Sequence, residues 1–148
     1  MGLESIYAGS LLEHNNNPSC KHALEGATHA HEGINSSCGD SVTLQLALAP
    51  NGTIESAAFT GSGCAISQAS ADIMAGLVAG KTLEEAQQLA NAFFSLLSGE
   101  EVDPSLREAL GEAADLEAVS SMPARVKCAQ LGWRTLQEMA SDPGACAL

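Results

Sequence analysis

The chain has 148 residues and a net charge of −12, from eighteen acids against six bases. It is sized for a single domain, 1–148, with its own hydrophobic core. The acidic balance argues against non-specific nucleic-acid binding and favours a partner with a basic docking face. With 45% hydrophobic but only 3% aromatic residues, that core is expected to consist of Ala, Leu, Ile and Val. No run approaches the roughly 18 apolar residues of a membrane span. The opening "MGLESIYAGSLLEHNNN" lacks the basic region and apolar core of a signal peptide. Ser5 stands one place early for the myristoylation pattern that starts at Gly2, and no polybasic stretch follows. A cytoplasmic protein is expected. There, five cysteines, an odd number that no complete disulfide framework uses, read as thiols or ligands.

Residues 3–13, "LESIYAGSLLE", carry apolar side chains at near-helical spacing. The following "HNNNPSCKHALEGATHAHEGINSSCGD" has no apolar periodicity and is expected to be a long mobile loop, so that 1–40 reads as an N-terminal helix plus loop. "SVTLQLALA" (41–49) alternates Val42, Leu44, Leu46 and Leu48 with polar or small residues. "PNG" then turns the chain into "TIESAAFTG" (53–61), which predicts a hairpin. After Cys64 the period changes to helical, with Ile66, Ala69, Ile73, Met74, Leu77 and Val78 on one face and Gly80 as the stop. Thr82 and Glu85 form a capping box for a second helix that runs to Gly99. Asp103-Pro104 opens a short helix through Leu110. A polar, Ala-rich stretch leads to Pro123 and a last amphipathic helix with Val126, Ala129, Trp133, Leu136 and Ala140 inward. The tail, 141–148, is expected to fray. The order predicts an α+β fold, with helices on one face of a small antiparallel sheet of about three strands.

The cysteines carry the candidate chemistry. Cys38 lies in "SSCGD", where Asp40, two residues on, faces the same side of an extended backbone and Gly39 permits a tight approach. Cys64 stands where the second strand gives way to a helix, and Cys128 falls in the first two turns of the last helix. Helix N-termini favour thiolate over thiol, and Arg125 and Lys127 add positive charge beside Cys128. Spacing alone leaves two readings open. These residues can be ligands or sulfur nucleophiles, or Cys64 and Cys128 can be small buried hydrophobes. A cysteine hydrolase is disfavoured, since His14, His22, His29 and His31 all lie in the N-terminal third.

The blocks "SSCGD", "GSGCAISQASADIM" and "MPARVKCAQLGW", in this order and separation, resemble the signatures of the IscU/SufU/NifU-like iron–sulfur assembly proteins across nearly the whole chain. About twenty extra residues near 98–120, and Lys127 where the IscU branch usually carries histidine, make the chain most similar to the SufU branch. The resemblance implies that Cys38, Asp40, Cys64 and Cys128 hold a zinc ion, a sensible tetrahedral donor set. It implies a role as sulfur acceptor for a PLP-dependent cysteine desulfurase of the SufS type, a sulfurtransferase-like partner rather than a stand-alone enzyme. The desulfurase displaces one zinc ligand with its own histidine and passes persulfide sulfur to the freed Cys38. Arg125 matches an arginine associated with the partner contact, its alternative being a solvated helix charge. A second function open to the same four residues is a scaffold that builds a [2Fe–2S] cluster and hands it to downstream assembly proteins; a third is a structural zinc module. No nucleic acid or membrane partner is implied. Cys20 departs from the family's ligand positions. With His22, His29 and His31 it either forms an adventitious second metal site or sits in a solvated loop, and Cys146 reads as incidental.

Overall fold

The computed structural model describes residues 10–148. Of the helix expected over 3–13, only the end lies within them, in α1 (Ser10–Asn16). Three strands, β1 (His29–Asn35), β2 (Asp40–Leu48) and β3 (Ile54–Ser62), form one antiparallel sheet in the order β1-β2-β3. The alternation read from the sequence sets the faces of β2, whose Val42, Leu44 and Leu46 are completely buried beneath the helices. Leu44 stands opposite Phe59, and Leu46 opposite Ala57. Each such leucine contributes about 1.5–3 kcal/mol by leaving water.

β1 corrects the sequence reading, which placed these residues in a mobile loop. Its helix-facing positions are His29, His31, Gly33 and Asn35, so no apolar alternation marks it. They pack against α5 (Pro123–Ser141): a side chain at Gly33 would collide with Thr135, and His31 Nε2 lies 3.0 Å from Glu138 Oε1. The residues before β1 are ordered by hydrogen bonds of their backbone to the sheet. Cys20 O accepts from Phe59 N at 2.9 Å, Leu24 N donates to Gln45 Oε1 at 2.9 Å, and Thr28 N donates to Leu46 O at 2.8 Å. Gln45 points away from the helices, so this segment crosses the other face of the sheet.

α2 (Ala65–Val78) is the central helix, packed against β3, α1 and α5. It is buried nearly all round and carries Ser67, Gln68, Ser70 and Asp72 inside. Ser70 Oγ donates to Ala129 O at 2.6 Å and accepts from Trp133 Nε1 at 3.2 Å. Gly132 lets α5 cross α2 closely, because a Cβ there would already touch Ala71 at 3.3 Å. α3 (Leu83–Leu97) starts at the expected Thr82–Glu85 capping box and stacks Phe93 on Trp133, ring centres 4.5 Å apart. α4 (Pro104–Leu110) has Asp103 as its cap, and a 3-10 segment, Gly111–Val119, buries Ala113, Leu116 and Val119. Arg107 holds the two together through both oxygens of Glu117.

The tail departs from the expected fraying. A 3-10 turn, Pro143–Cys146, buries Cys146, Ala147 bridges to His29, and Leu148 N donates to Thr28 O at 2.9 Å. Backbone pairing with the end of β1 supplies the order that side chains there do not. No described helix is long and apolar enough to cross a membrane.

Candidate metal centre

At one end of the sheet, three chain segments converge: the β1–β2 turn, the β3–α2 junction and the second turn of α5. The β1–β2 turn closes with Cys38 N donating to Asn35 O at 3.2 Å, and Gly39 takes φ +69°, open to glycine at little cost. The turn leaves Cys38 exposed at its tip. Asp40 opens β2 on the helix-facing side and is completely buried. Cys128, also completely buried, reaches the same point from α5, its Sγ 3.5 Å from Cys38 Sγ. Cys38, Asp40 and Cys128 each place one donor atom within 4.8 Å of the others, the only such group of three or more His, Cys, Asp or Glu among the described residues.

The Asp40 carboxylate is held by neutral donors. Cys64 N donates to Oδ1 at 2.8 Å, and Asn35 Nδ2 donates to Oδ2 at 3.4 Å. The same Asn35 amide lies 3.9 Å from Cys128 Sγ, so one buried side chain braces two of the three donors. Gly63 is needed for the approach of β3, because a Cβ there would run into Asp40 Oδ1 and Ser67 Oγ. Asn35 is not singled out by the sequence; its signal is local, three residues before a candidate ligand.

Cys64 sits at the N-cap of α2 as expected, but its thiol turns back on its own helix, where Sγ accepts from Ser67 N at 3.4 Å. It stands outside the compact trio while its backbone N–H grips Asp40. Arg125 lies half-buried in the first turn of α5, one turn before Cys128, and Lys127 is exposed. The expectation of a thiolate-favouring helix start at Cys128 is corrected. Burial, reinforced by hydrogen bonding with Cys38, Cys64 and Asp40, pushes its thiol far up. Position explains the reversal: Cys128 is in the second turn, past the free N–H groups, and Lys127 beside it points to solvent.

The donor set fits a thiophilic divalent ion. Zinc bonds of about 2.0–2.3 Å in a tetrahedron put neighbouring donors roughly 3.3–3.8 Å apart. The 3.5 Å between Cys38 and Cys128 falls in that range. A carboxylate buried with two thiols and, among the described residues, no cationic partner within hydrogen-bonding reach is an environment that a bound cation would relieve.

The N-terminal cysteine and histidines do not converge on a second centre. His22 Nδ1 lies 2.9 Å from Ala23 O, His29 Nδ1 lies 2.7 Å from Thr28 Oγ1, and His31 pairs with Glu138. Cys20 instead sits beside Asp72, whose Oδ1 accepts from Cys20 N at 2.7 Å.

Comparison with known proteins places these features in a family. Residues 6–129 match the NifU-like N terminal domain. The chain is 35% identical over 136 residues to the zinc-dependent sulfurtransferase SufU of Bacillus subtilis (strain 168), covering 92% of this chain and 90% of that protein. It is 38% identical over 136 residues to the iron–sulfur cluster assembly scaffold protein IscU of Streptococcus pyogenes serotype M1, covering 92% and 83%. Among solved structures, FiSufU from Fervidobacterium islandicum AW-1 superposes with a TM-score of 0.84 at 34% identity, covering 93% of this chain and 98% of that one.

Proposed function

The chain belongs to the family of the NifU-like N-terminal domain, and we propose that it serves cytoplasmic iron–sulfur cluster assembly as a zinc-containing sulfur acceptor. Its donor is a PLP-dependent cysteine desulfurase of the SufS type, which passes persulfide sulfur to Cys38. The observation that carries this reading is an asymmetry within the trio: Cys38 is exposed while Asp40 and Cys128 are completely buried. A holder of metal needs no access to solvent; a thiol that meets another protein's persulfide does. A purely structural zinc module has no use for the exposed member, so the exposure of Cys38 favours the sulfur acceptor over that alternative.

In this role Cys38, Asp40, Cys64 and Cys128 would hold the zinc, with Asn35 bracing Asp40 and Cys128. Zinc, when bound, keeps a cysteine ligand deprotonated at neutral pH. The Cys38 thiolate attacks the outer sulfur of the desulfurase persulfide. The S–S bond there breaks, its electron pair leaves on the desulfurase cysteine, and Cys38 becomes the persulfide. No oxidant or reductant is consumed. The hairpin turn presents Cys38 outward, and Arg125, one helical turn from Cys128, is placed to contact the incoming partner.

The likeness to IscU scaffold proteins supports a second reading, in which the same four side chains hold a [2Fe–2S] cluster. A desulfurase assay combined with metal analysis separates the two. Purified protein is expected to contain about one zinc per chain and to raise desulfurase turnover, and Cys38→Ala is expected to abolish that stimulation. Absence of stimulation by wild type, with a stable iron–sulfur chromophore after reconstitution, would transfer the role to the scaffold.

A further inference from the structure

The two sulfurs at the centre of the trio are 3.5 Å apart. One is exposed and the other completely buried. We infer that Cys38 and Cys128 form an oxidative modification site, at which a hydroperoxide joins them in a reversible disulfide whenever the metal is absent. The order of events follows from access. A peroxide meets Cys38 first, and the Cys38 sulfur attacks the terminal oxygen of the O–O bond. That bond breaks to leave a sulfenic acid on Cys38, while the departing alkoxide, or hydroxide for hydrogen peroxide, takes up the Cys38 proton. Cys128, already in contact, attacks that sulfenic sulfur. The S–S bond forms as the S–O bond breaks, and the departing hydroxide takes up the Cys128 proton as water. In sum, two thiols and one hydroperoxide give one disulfide, water and the corresponding alcohol, or a second water for hydrogen peroxide.

The geometry singles out this pair among the five cysteines. Cys64 also neighbours Cys128, but its Sγ caps its own helix by accepting from Ser67 N and stands outside the trio. Cys20 lies beside Asp72 near the far end of α2, and Cys146 is buried under the C-terminal turn against β1. A bound metal would hold both sulfurs as ligands and shield them. The disulfide in turn removes two donors at once, so oxidation and metal loading exclude each other. The consequence for activity rests on the proposed function: oxidised protein lacks its sulfur-accepting thiol until a reductant returns it.

Full-length protein, zinc-loaded and after chelation, is treated with equimolar hydrogen peroxide, and its thiols are counted and mapped by non-reducing peptide mass spectrometry. The metal-free sample is expected to fall from five free thiols to about three, with one Cys38–Cys128 crosslink that dithiothreitol reverses. The zinc-loaded sample is expected to keep its thiols over the same interval. Cys128→Ser is expected to stop at a sulfenic acid on Cys38, trapped by dimedone. A crosslink through Cys64, an unchanged thiol count, or equal oxidation rates with and without zinc would overturn the inference. None of these readouts uses a desulfurase. A Cys38–Cys128 crosslink in a protein that fails to stimulate one would retain this site and reject the sulfur-acceptor reading.

Discussion

Two aspartates lie buried in this chain and are treated in opposite ways. Asp72, on α2, is 2% exposed, and its needs are met inside the protein. His14 Nδ1 lies 2.5 Å from Oδ2, and Cys20 N donates to Oδ1 at 2.7 Å. The other nitrogen of His14 reaches Glu112 at 2.7 Å, so α1, α2 and the 3-10 segment meet at one imidazole. Asp40 is still more buried, yet its partners are an amide and a backbone N–H, and the groups beside it are thiols. Burial of a carboxylate is costly unless the charge is matched. Where the match is a histidine, the residue ties elements together; where it is left to something from outside, the residue is available as a ligand.

The largest effect that follows is on stability. Asp72→Ala strips His14 and the Cys20 amide of their acceptor and should cost about 3 kcal/mol in urea unfolding. Asp40→Ala should leave the metal-free protein within about 1 kcal/mol of wild type, since it removes an unmatched buried charge, and should impair zinc binding instead. Equal losses of stability in the two variants would break the distinction. Next, Gly63→Ala puts a methyl group against Asp40 and Ser67. Such overpacking costs about 1–3 kcal/mol, and zinc affinity should fall with it. Asn35→Ala removes the brace on Asp40 and Cys128 and should weaken zinc about 10–100-fold, measured by competition with a chelating dye, with the helical circular dichroism unchanged.

The smallest effect is a pH dependence carried by His14, the partner of Asp72. Burial by itself would lower the His14 pKa, but hydrogen bonds to Asp72 and Glu112 outweigh it and hold the pKa above 6.5. A histidine whose folded pKa is raised adds stability that is fully present below its unfolded value. That increment is lost as pH rises through the raised folded value. The urea midpoint of wild type should therefore drop by more than that of His14→Gln as pH climbs above 6.5. Parallel profiles for the two proteins would contradict the pairing.

Much of the scaffold was legible because its local signals agree: the β2 alternation, the change to helical period after Cys64, the Thr82–Glu85 box and Asp103-Pro104. β1 was hidden because its inward positions are histidine, glycine and asparagine, chosen to meet Thr135, Glu138 and the centre rather than to fill a core. The tail was hidden because backbone pairing orders it. At the site, the local contexts of Cys38, Asp40 and Cys128 could be read from sequence, and the structure brings these three together. Two things needed three dimensions. Asn35 looks like any turn asparagine until its amide is seen between Asp40 and Cys128. The thiol of Cys64 caps its own helix, which no spacing reveals. Asp72 escaped notice because one acidic residue among the polar residues of α2 carries no sign of what faces it.

The central claim is that the exposed thiol of the trio is the one that receives sulfur. The direct measurement is peptide mass spectrometry of the zinc-loaded protein after turnover with a SufS-type desulfurase and cysteine, under non-reducing conditions with free persulfides alkylated. One added sulfur atom on the Cys38 peptide, absent from Cys38→Ala, is the predicted result. Added sulfur on Cys64 or Cys128, or none on any cysteine while the desulfurase turns over, would contradict it.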